Sequence, residues 1–235
     1  MPARPGPTKK KRPPLPARAV YTAMLRRWGP QQWWPARTRA EMIIGAILTQ
    51  HTAWTNVERA IARLRRAGML RFDRLHAAPL AEVERCIQPA GTYRAKARSL
   101  RAFTDRLYAE HGGSLDRLFR LPTPALRTWL LAGPGIGPET ADCILLYAAR
   151  RPVFVVDAYT RRLVERHGWG APGEPYDGVA RRFTDRLPAS APLFNEYHAL
   201  LVQVGKSHCR TRPQCAGCPL EALFPPDSAG PAAAR

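Results

Sequence analysis

A chain of 235 residues can bury one large core or two smaller ones. Its 37 Lys and Arg against 18 Asp and Glu leave a net charge of +19, which points to a polyanionic partner, with nucleic acid first in line. No run of about eighteen apolar residues is present to span a membrane, the N-terminus lacks an apolar signal core, and an odd number of cysteines, 5, with three crowded together, argues against a secreted disulfide scaffold. A cytoplasmic, nucleoid-associated protein is the expectation.

Residues 1–16 are rich in proline and carry Lys9-Lys10-Lys11-Arg12, a composition that cannot bury a core and reads as a disordered basic arm. A helical pattern begins at Val20 and breaks at Gly29-Pro30, ahead of Gln31-Gln32-Trp33-Trp34-Pro35. The stretch Glu41 to Thr49 is nearly all apolar and predicts a buried helix. It runs into Gln50-His51-Thr52-Ala53-Trp54 and an amphipathic helix through Val57, Ile61 and Leu64. Helical pattern returns from Leu80 to Ile87. A glycine-marked turn, Pro89-Ala90-Gly91-Thr92-Tyr93-Arg94-Ala95-Lys96, then opens a helix over 97–111.

At the centre of the chain, Pro134-Gly135-Ile136-Gly137-Pro138-Glu139 separates two apolar segments of helical period, with Leu126, Trp129 and Leu130 before it and Ala141, Ile144, Leu145 and Ala148 after. Two glycines free the backbone for close approach, Pro138 suits a first helical position, and amides at a helix start favour an anion such as a DNA phosphate. The run Val153 to Val156 is apolar, and Asp157 stands directly before a predicted helix at 158–166, a favoured N-cap. A loop at 168–174 and helices at 179–187 and 193–206 follow. No β alternation is sustained anywhere, so the fold is predicted to be all-α.

The hairpin, followed by an apolar run and Asp157, with Cys209, Cys215 and Cys218 near the C-terminus, resembles the helix-hairpin-helix DNA glycosylases of the endonuclease III superfamily over roughly residues 20 to 225. The resemblance implies two helical domains flanking a DNA cleft: a six-helix barrel over 40–150, and a second domain joining 17–39 to 151–235 with its cysteine cluster. It implies a monomer acting on double-stranded DNA with damaged bases. It places Gln50 at the DNA and makes Asp157 the catalytic carboxylate, stabilising the sugar cation and orienting water. The turn around Thr92, Tyr93, Arg94 and Lys96 is similar to the loop that wedges into the gap left by a flipped base. Many members carry a bulky apolar residue where Thr92 stands, which leaves either Tyr93 to fill the gap or a weak wedge, and an ordinary interhelical turn is the alternative role of this segment.

Glu139 occupies the place where bifunctional members carry their lysine nucleophile, and a carboxylate cannot form an imine. The expectation is therefore a monofunctional glycosylase with little lyase activity. Glutamate there is similar to the 3-methyladenine branch, and Trp33, Trp34 and Trp54 are candidates to wall a pocket for an alkylated base. Core packing is the alternative role for these tryptophans; Glu139 is a second catalytic candidate, as a protonated hydrogen-bond donor sharing a cavity with Asp157, with a first-turn helix charge as its alternative. The alternative functions are an oxidised-pyrimidine glycosylase with abasic lyase activity and a non-catalytic binder of damaged DNA.

The cysteines are spaced by five and then two residues, whereas the four-iron four-sulfur motif of the superfamily has gaps of six, two and five and a fourth cysteine where Phe224 stands here. A 4Fe-4S cluster completed by His208 or Asp227, zinc held by three cysteines and His208, and no metal are the three readings. Arg210 and Arg212 would lend this loop charge against phosphates.

Overall fold

The computed structural model describes residues 12–34 and 36–224. Most of the basic arm lies outside these, as does Asp227. At its near end the guanidinium of Arg12 donates to the Gly170 carbonyl at 3.0 Å and Leu15 is buried, so the chain is packed from this point rather than from Val20. Among the described residues all regular structure is helical, and none of the helices is long and apolar enough to cross a membrane. The all-α prediction holds, and Val153 to Val156 form neither helix nor strand.

The chain divides into two compact units: one runs up to Gln31 and takes in Val156–Pro188 and the chain from Glu196, the other comprises Gln32–Val155 and Ala189–Asn195. The second is built on helix α2 (Arg39–Leu48), capped by Thr38, whose hydroxyl accepts from the Glu41 amide at 3.1 Å. From Glu41 to Leu48 every residue of α2 is buried, the pattern of a helix covered on all sides. Glu41 is accommodated there by Arg65 at 2.7 Å. Around α2 pack α3 (Trp54–Arg66), α6 (Tyr93–His111) and α9 (Pro138–Cys143), the last continuing as a wider π turn over Ile144–Ala148. Helices α4 (Phe72–Ala77), α5 (Leu80–Ile87), α7 (Leu115–Leu118) and α8 (Thr123–Leu131) complete this unit.

The first unit contains α1 (Ala17–Trp28), α10 (Ala158–Arg166), α11 (Tyr176–Thr184) and most of α12 (Ala191–Ser207). Its core gathers Val20, Met24, Leu163, Val164, Phe183, Leu200, Leu201 and Val204, and the buried Tyr197 hydroxyl donates to the Ala17 carbonyl at 2.8 Å. Gly205 is needed where it stands, because any Cβ would run into the Tyr159 ring.

Candidate functional site

The hairpin joins α8 to α9. Gly135 takes a φ of 75° and sits so close to Ser99 that a side chain would collide with it, so glycine answers both a backbone and a packing demand. Gly135, Gly137, Pro138 and Glu139 are exposed, whereas Ile136 turns inward and its amide donates to the Gly133 carbonyl at 3.2 Å. The turn therefore offers backbone at two glycines and anchors itself through the residue between them. Glu139 lies in the first turn of α9, where its charge complements the helix start.

Gln50, at the end of α2, sends its amide nitrogen to the Gly135 carbonyl at 2.7 Å and to the Thr140 hydroxyl at 3.1 Å, bracing the hairpin. Lys96, expected at the DNA, is instead buried. Its ammonium donates to three carbonyls, Leu48 at 3.1 Å, Gln50 at 2.8 Å and Ala90 at 2.6 Å, and burial pushes its pKa below the ordinary lysine value. One ammonium thus joins the end of α2 to the turn at Gly91-Thr92, while Gln50 joins α2 to the hairpin. At that turn Thr92 holds a left-handed backbone with φ of 32°, a costly state for a β-branched residue, and is exposed. Tyr93 is half-buried with the Arg94 guanidinium 5.7 Å from its ring centroid.

Trp33, Trp34 and Trp54 form one cluster, with ring centroids 6.2 Å apart for the adjacent pair, 6.4 Å between Trp33 and Trp54 and 5.0 Å between Trp34 and Trp54. Tyr147, which sequence reasoning missed, adds a fourth ring 5.2 Å from Trp34. All four are half-buried. The Trp54 indole N–H donates to the Glu58 carboxylate at 2.8 Å, setting a negative charge at the cluster's edge. A cavity of about 910 Å³ opens beside it, lined by Trp33, Trp34 and Tyr147 and by Arg37, Arg39 and Arg150, but not by Trp54.

Asp157, in the other unit, caps α10 as its position predicts. Its Oδ1 accepts from the Thr160 amide at 2.7 Å and the Thr160 hydroxyl at 2.8 Å. Its Oδ2 lies 3.5 Å from Nε2 of His198 on α12. Burial pushes this carboxyl up, but His198 and Thr160 more than offset it, and the group sits below the ordinary value of 3.8. His198 and Thr160 carry no sequence signal for this role: a histidine in an apolar helix and a threonine in a first turn are commonplace.

Cys209, Cys215 and Cys218 lie near enough to influence one another's thiols, and Phe224 stands where the motif has its fourth cysteine. Among the described residues no three His, Cys, Asp or Glu side chains converge as a metal-holding group. His208 is engaged by the Gln214 carbonyl at 3.0 Å and by the Trp28 ring at 6.1 Å. Burial first, and the nearby Cys209 second, push the Cys215 thiol up, while burial does so for Cys218. Phe224, at the fourth position, stacks on the His167 ring at 4.0 Å, and His167 stacks on Trp169 at 4.2 Å. The loop backbone is held from α10, with Arg162 donating to the Cys209 carbonyl at 2.6 Å and Arg166 to the Arg210 and Thr211 carbonyls at 2.5 and 2.8 Å. Three thiols with Phe224 at the fourth position leave the four-cysteine motif of a 4Fe-4S cluster incomplete.

An all-α chain with a Gly-x-Gly helix-hairpin-helix and an aspartate capping the helix that follows is of the helix-hairpin-helix DNA glycosylase class. It belongs to the HhH-GPD superfamily of base excision DNA repair proteins, whose family model matches residues 44–189. A candidate DNA repair glycosylase of Methanocaldococcus jannaschii is 40% identical over 204 residues, covering 86% of this chain and 92% of its own. Endonuclease III of Sulfolobus acidocaldarius is 30% identical over 178 residues, 75% of this chain and 77% of its own. Among solved structures, the 3-methyladenine DNA glycosylase of H. pylori bound to 1,N6-ethenoadenine is similar with a TM-score of 0.69 and 26% identity, covering 81% of this chain and 95% of that one.

Proposed function

We propose that this protein is a monofunctional glycosylase that hydrolyses the N-glycosidic bond of an alkylated base in duplex DNA, acting as a monomer. The observation that carries the reading is the cluster of four half-buried rings with the Glu58 carboxylate at its edge. Indole faces and a nearby carboxylate attract a base made cationic by alkylation. Such a base departs neutral when the C1′–N bond breaks and its electron pair returns to the ring, so no strong acid is required. Asp157, held below the ordinary carboxylate range, supplies a fixed negative charge to the sugar cation left behind. Water then adds at C1′ and gives up its proton, with the carboxylate orienting it.

The amines bear on the lyase question. Glu139 replaces the nucleophilic lysine of bifunctional relatives, and the Lys96 ammonium is committed to three carbonyls inside the fold. The hairpin backbone at Gly135 and Gly137 and the exposed turn at Thr92 are the elements that would meet phosphates and the vacated stack.

A second reading has one observation in its favour. The three arginines lining the cavity next to the tryptophans suit a neutral base with carbonyl acceptors, as in oxidised lesions, better than a cation. Duplexes carrying N7-methylguanine, 1,N6-ethenoadenine, an oxidised pyrimidine, a mismatch and an abasic site, incubated with wild type and Asp157→Asn, separate these. Release of the alkylated bases by wild type alone, with no covalent product on abasic DNA in borohydride, is expected. Release of only the oxidised pyrimidine, or efficient trapping, refutes the proposal, and binding without cutting by either protein makes this a damage-binding protein.

A further inference from the structure

An aspartate that only caps a helix uses one oxygen, and Asp157 satisfies that role completely through Oδ1 and Thr160. Its second oxygen is not left to solvent. The side chain is 11% exposed, and the imidazole placed 3.5 Å away belongs to a side chain that is 6% exposed, on a helix remote in sequence. We propose that His198 is a positioning residue for Asp157, its Nε2 fixing Oδ2 so that the carboxylate meets the reacting sugar in one orientation. This deepens the proposed function and rests on it, since the sugar is the partner that reading assigns to Asp157.

The surroundings leave the task to His198. Other charged groups near the start of α10 are directed elsewhere: Arg161 donates to the Glu174 carbonyl at 2.7 Å and Arg162 to the Cys209 carbonyl at 2.6 Å. On α12, Glu196 accepts from the Gln31 amide at 2.6 Å and the Tyr197 hydroxyl donates to Ala17. The Tyr176 hydroxyl accepts from the Val156 amide at 3.1 Å. His198 and Thr160 are the groups whose influence lowers the Asp157 carboxyl, and His198 is the one that faces Oδ2. A buried carboxylate with one oxygen unsupported would favour the protonated acid, which offers the sugar cation no full charge. A histidine kept only for packing would be replaceable by an apolar side chain of similar size without effect on the carboxylate.

The test uses the full chain as wild type, His198→Leu and His198→Gln. The Asp157 carboxyl is followed by carbon NMR against pH in the free protein, its resonance assigned from Asp157→Asn. Base release under single-turnover conditions is measured on the N7-methylguanine and 1,N6-ethenoadenine duplexes, and affinity on a duplex with a tetrahydrofuran abasic analogue. His198→Leu is expected to raise the titration of Asp157 and slow base release by roughly ten- to a hundredfold, the rate equivalent of one charged hydrogen bond, with affinity for the abasic analogue kept. His198→Gln, which retains a donor, is expected to recover most of both. If His198→Leu fails to fold, His198→Asn, too short to reach Oδ2, replaces it. An unshifted Asp157 titration in the donor-free variant overturns the proposal whether or not any duplex is cut. A shifted titration together with Asp157→Asn cutting as fast as wild type instead sinks the catalytic reading of Asp157 and leaves the His198 contact standing.

Discussion

Replacing Lys96 by methionine tests whether one ammonium ties the segments proposed to face DNA. The substitution keeps the length and apolar stem of the side chain and removes three hydrogen bonds, to the carbonyls of Leu48, Gln50 and Ala90. Each buried carbonyl left without its donor costs roughly 1–3 kcal/mol. Against this, removing the ammonium recovers several kcal/mol of desolvation. The net expectation is a loss of about 2–4 kcal/mol, equivalent for a chain of this size to a fall in Tm of roughly 4–16 °C. The sign with pH is also set. Burial holds the folded ammonium below its ordinary value of 10.5, so between the two values the unfolded chain binds more protons, and wild-type stability rises as pH approaches 10.5. Lys96→Met should lose that rise. Thermal unfolding at pH 7 and pH 10, with affinity for an abasic-analogue duplex, reads both. A variant as stable as wild type, with unchanged DNA affinity, would show that the three carbonyls need no donor and that the joint does not hold these segments.

Two other expectations follow from the first unit. Burial pushes His167 down to about 4 from 6.5, so stability is complete above pH 6.5 and falls by roughly 3 kcal/mol as pH drops to about 4. His167→Phe keeps a ring between Trp169 and Phe224 and should flatten this slope in unfolding measured across that window; an unchanged slope assigns it elsewhere. As no metal-holding group forms among the described residues, Cys209, Cys215 and Cys218 changed together to serine should leave Tm within about 2 °C, whereas Phe224→Ala should cost about 1–2 kcal/mol by removing a stacked ring. Stoichiometric iron or zinc in the purified protein, or the reverse order of the two effects, contradicts the reading of that loop.

What could be read in advance follows from where the signals reside. Helix α2 announces itself through a nearly unbroken apolar run, α3 through the spacing of Val57, Ile61 and Leu64, α10 through its Asp157 cap, and the hairpin through Gly135, Gly137 and Pro138, because each of these is written in local chemistry. Helices α4 and α7, of 6 and 4 residues, are too short to show a period. Within the site, Asp157 was visible as a cap. Its partner His198, the ring of Tyr147 beside Trp34 and the inward course of Lys96 depend on segments brought together by packing, which no linear spacing records. The basic character of Lys96 pointed toward phosphate, and burial among carbonyls reversed that inference. In the cysteine loop the spacing points to a metal, while the stack of Phe224 on His167 carries no linear signal.

The fit of Tyr159 over Gly205 makes two distant positions answer to each other. A methyl group at 205 would meet not only the Tyr159 ring but its Cβ at 2.7 Å, so among single changes at 159 only glycine clears it. Selecting for restored folding in a library that begins from Gly205→Ala should therefore return glycine at 159 or reversion at 205.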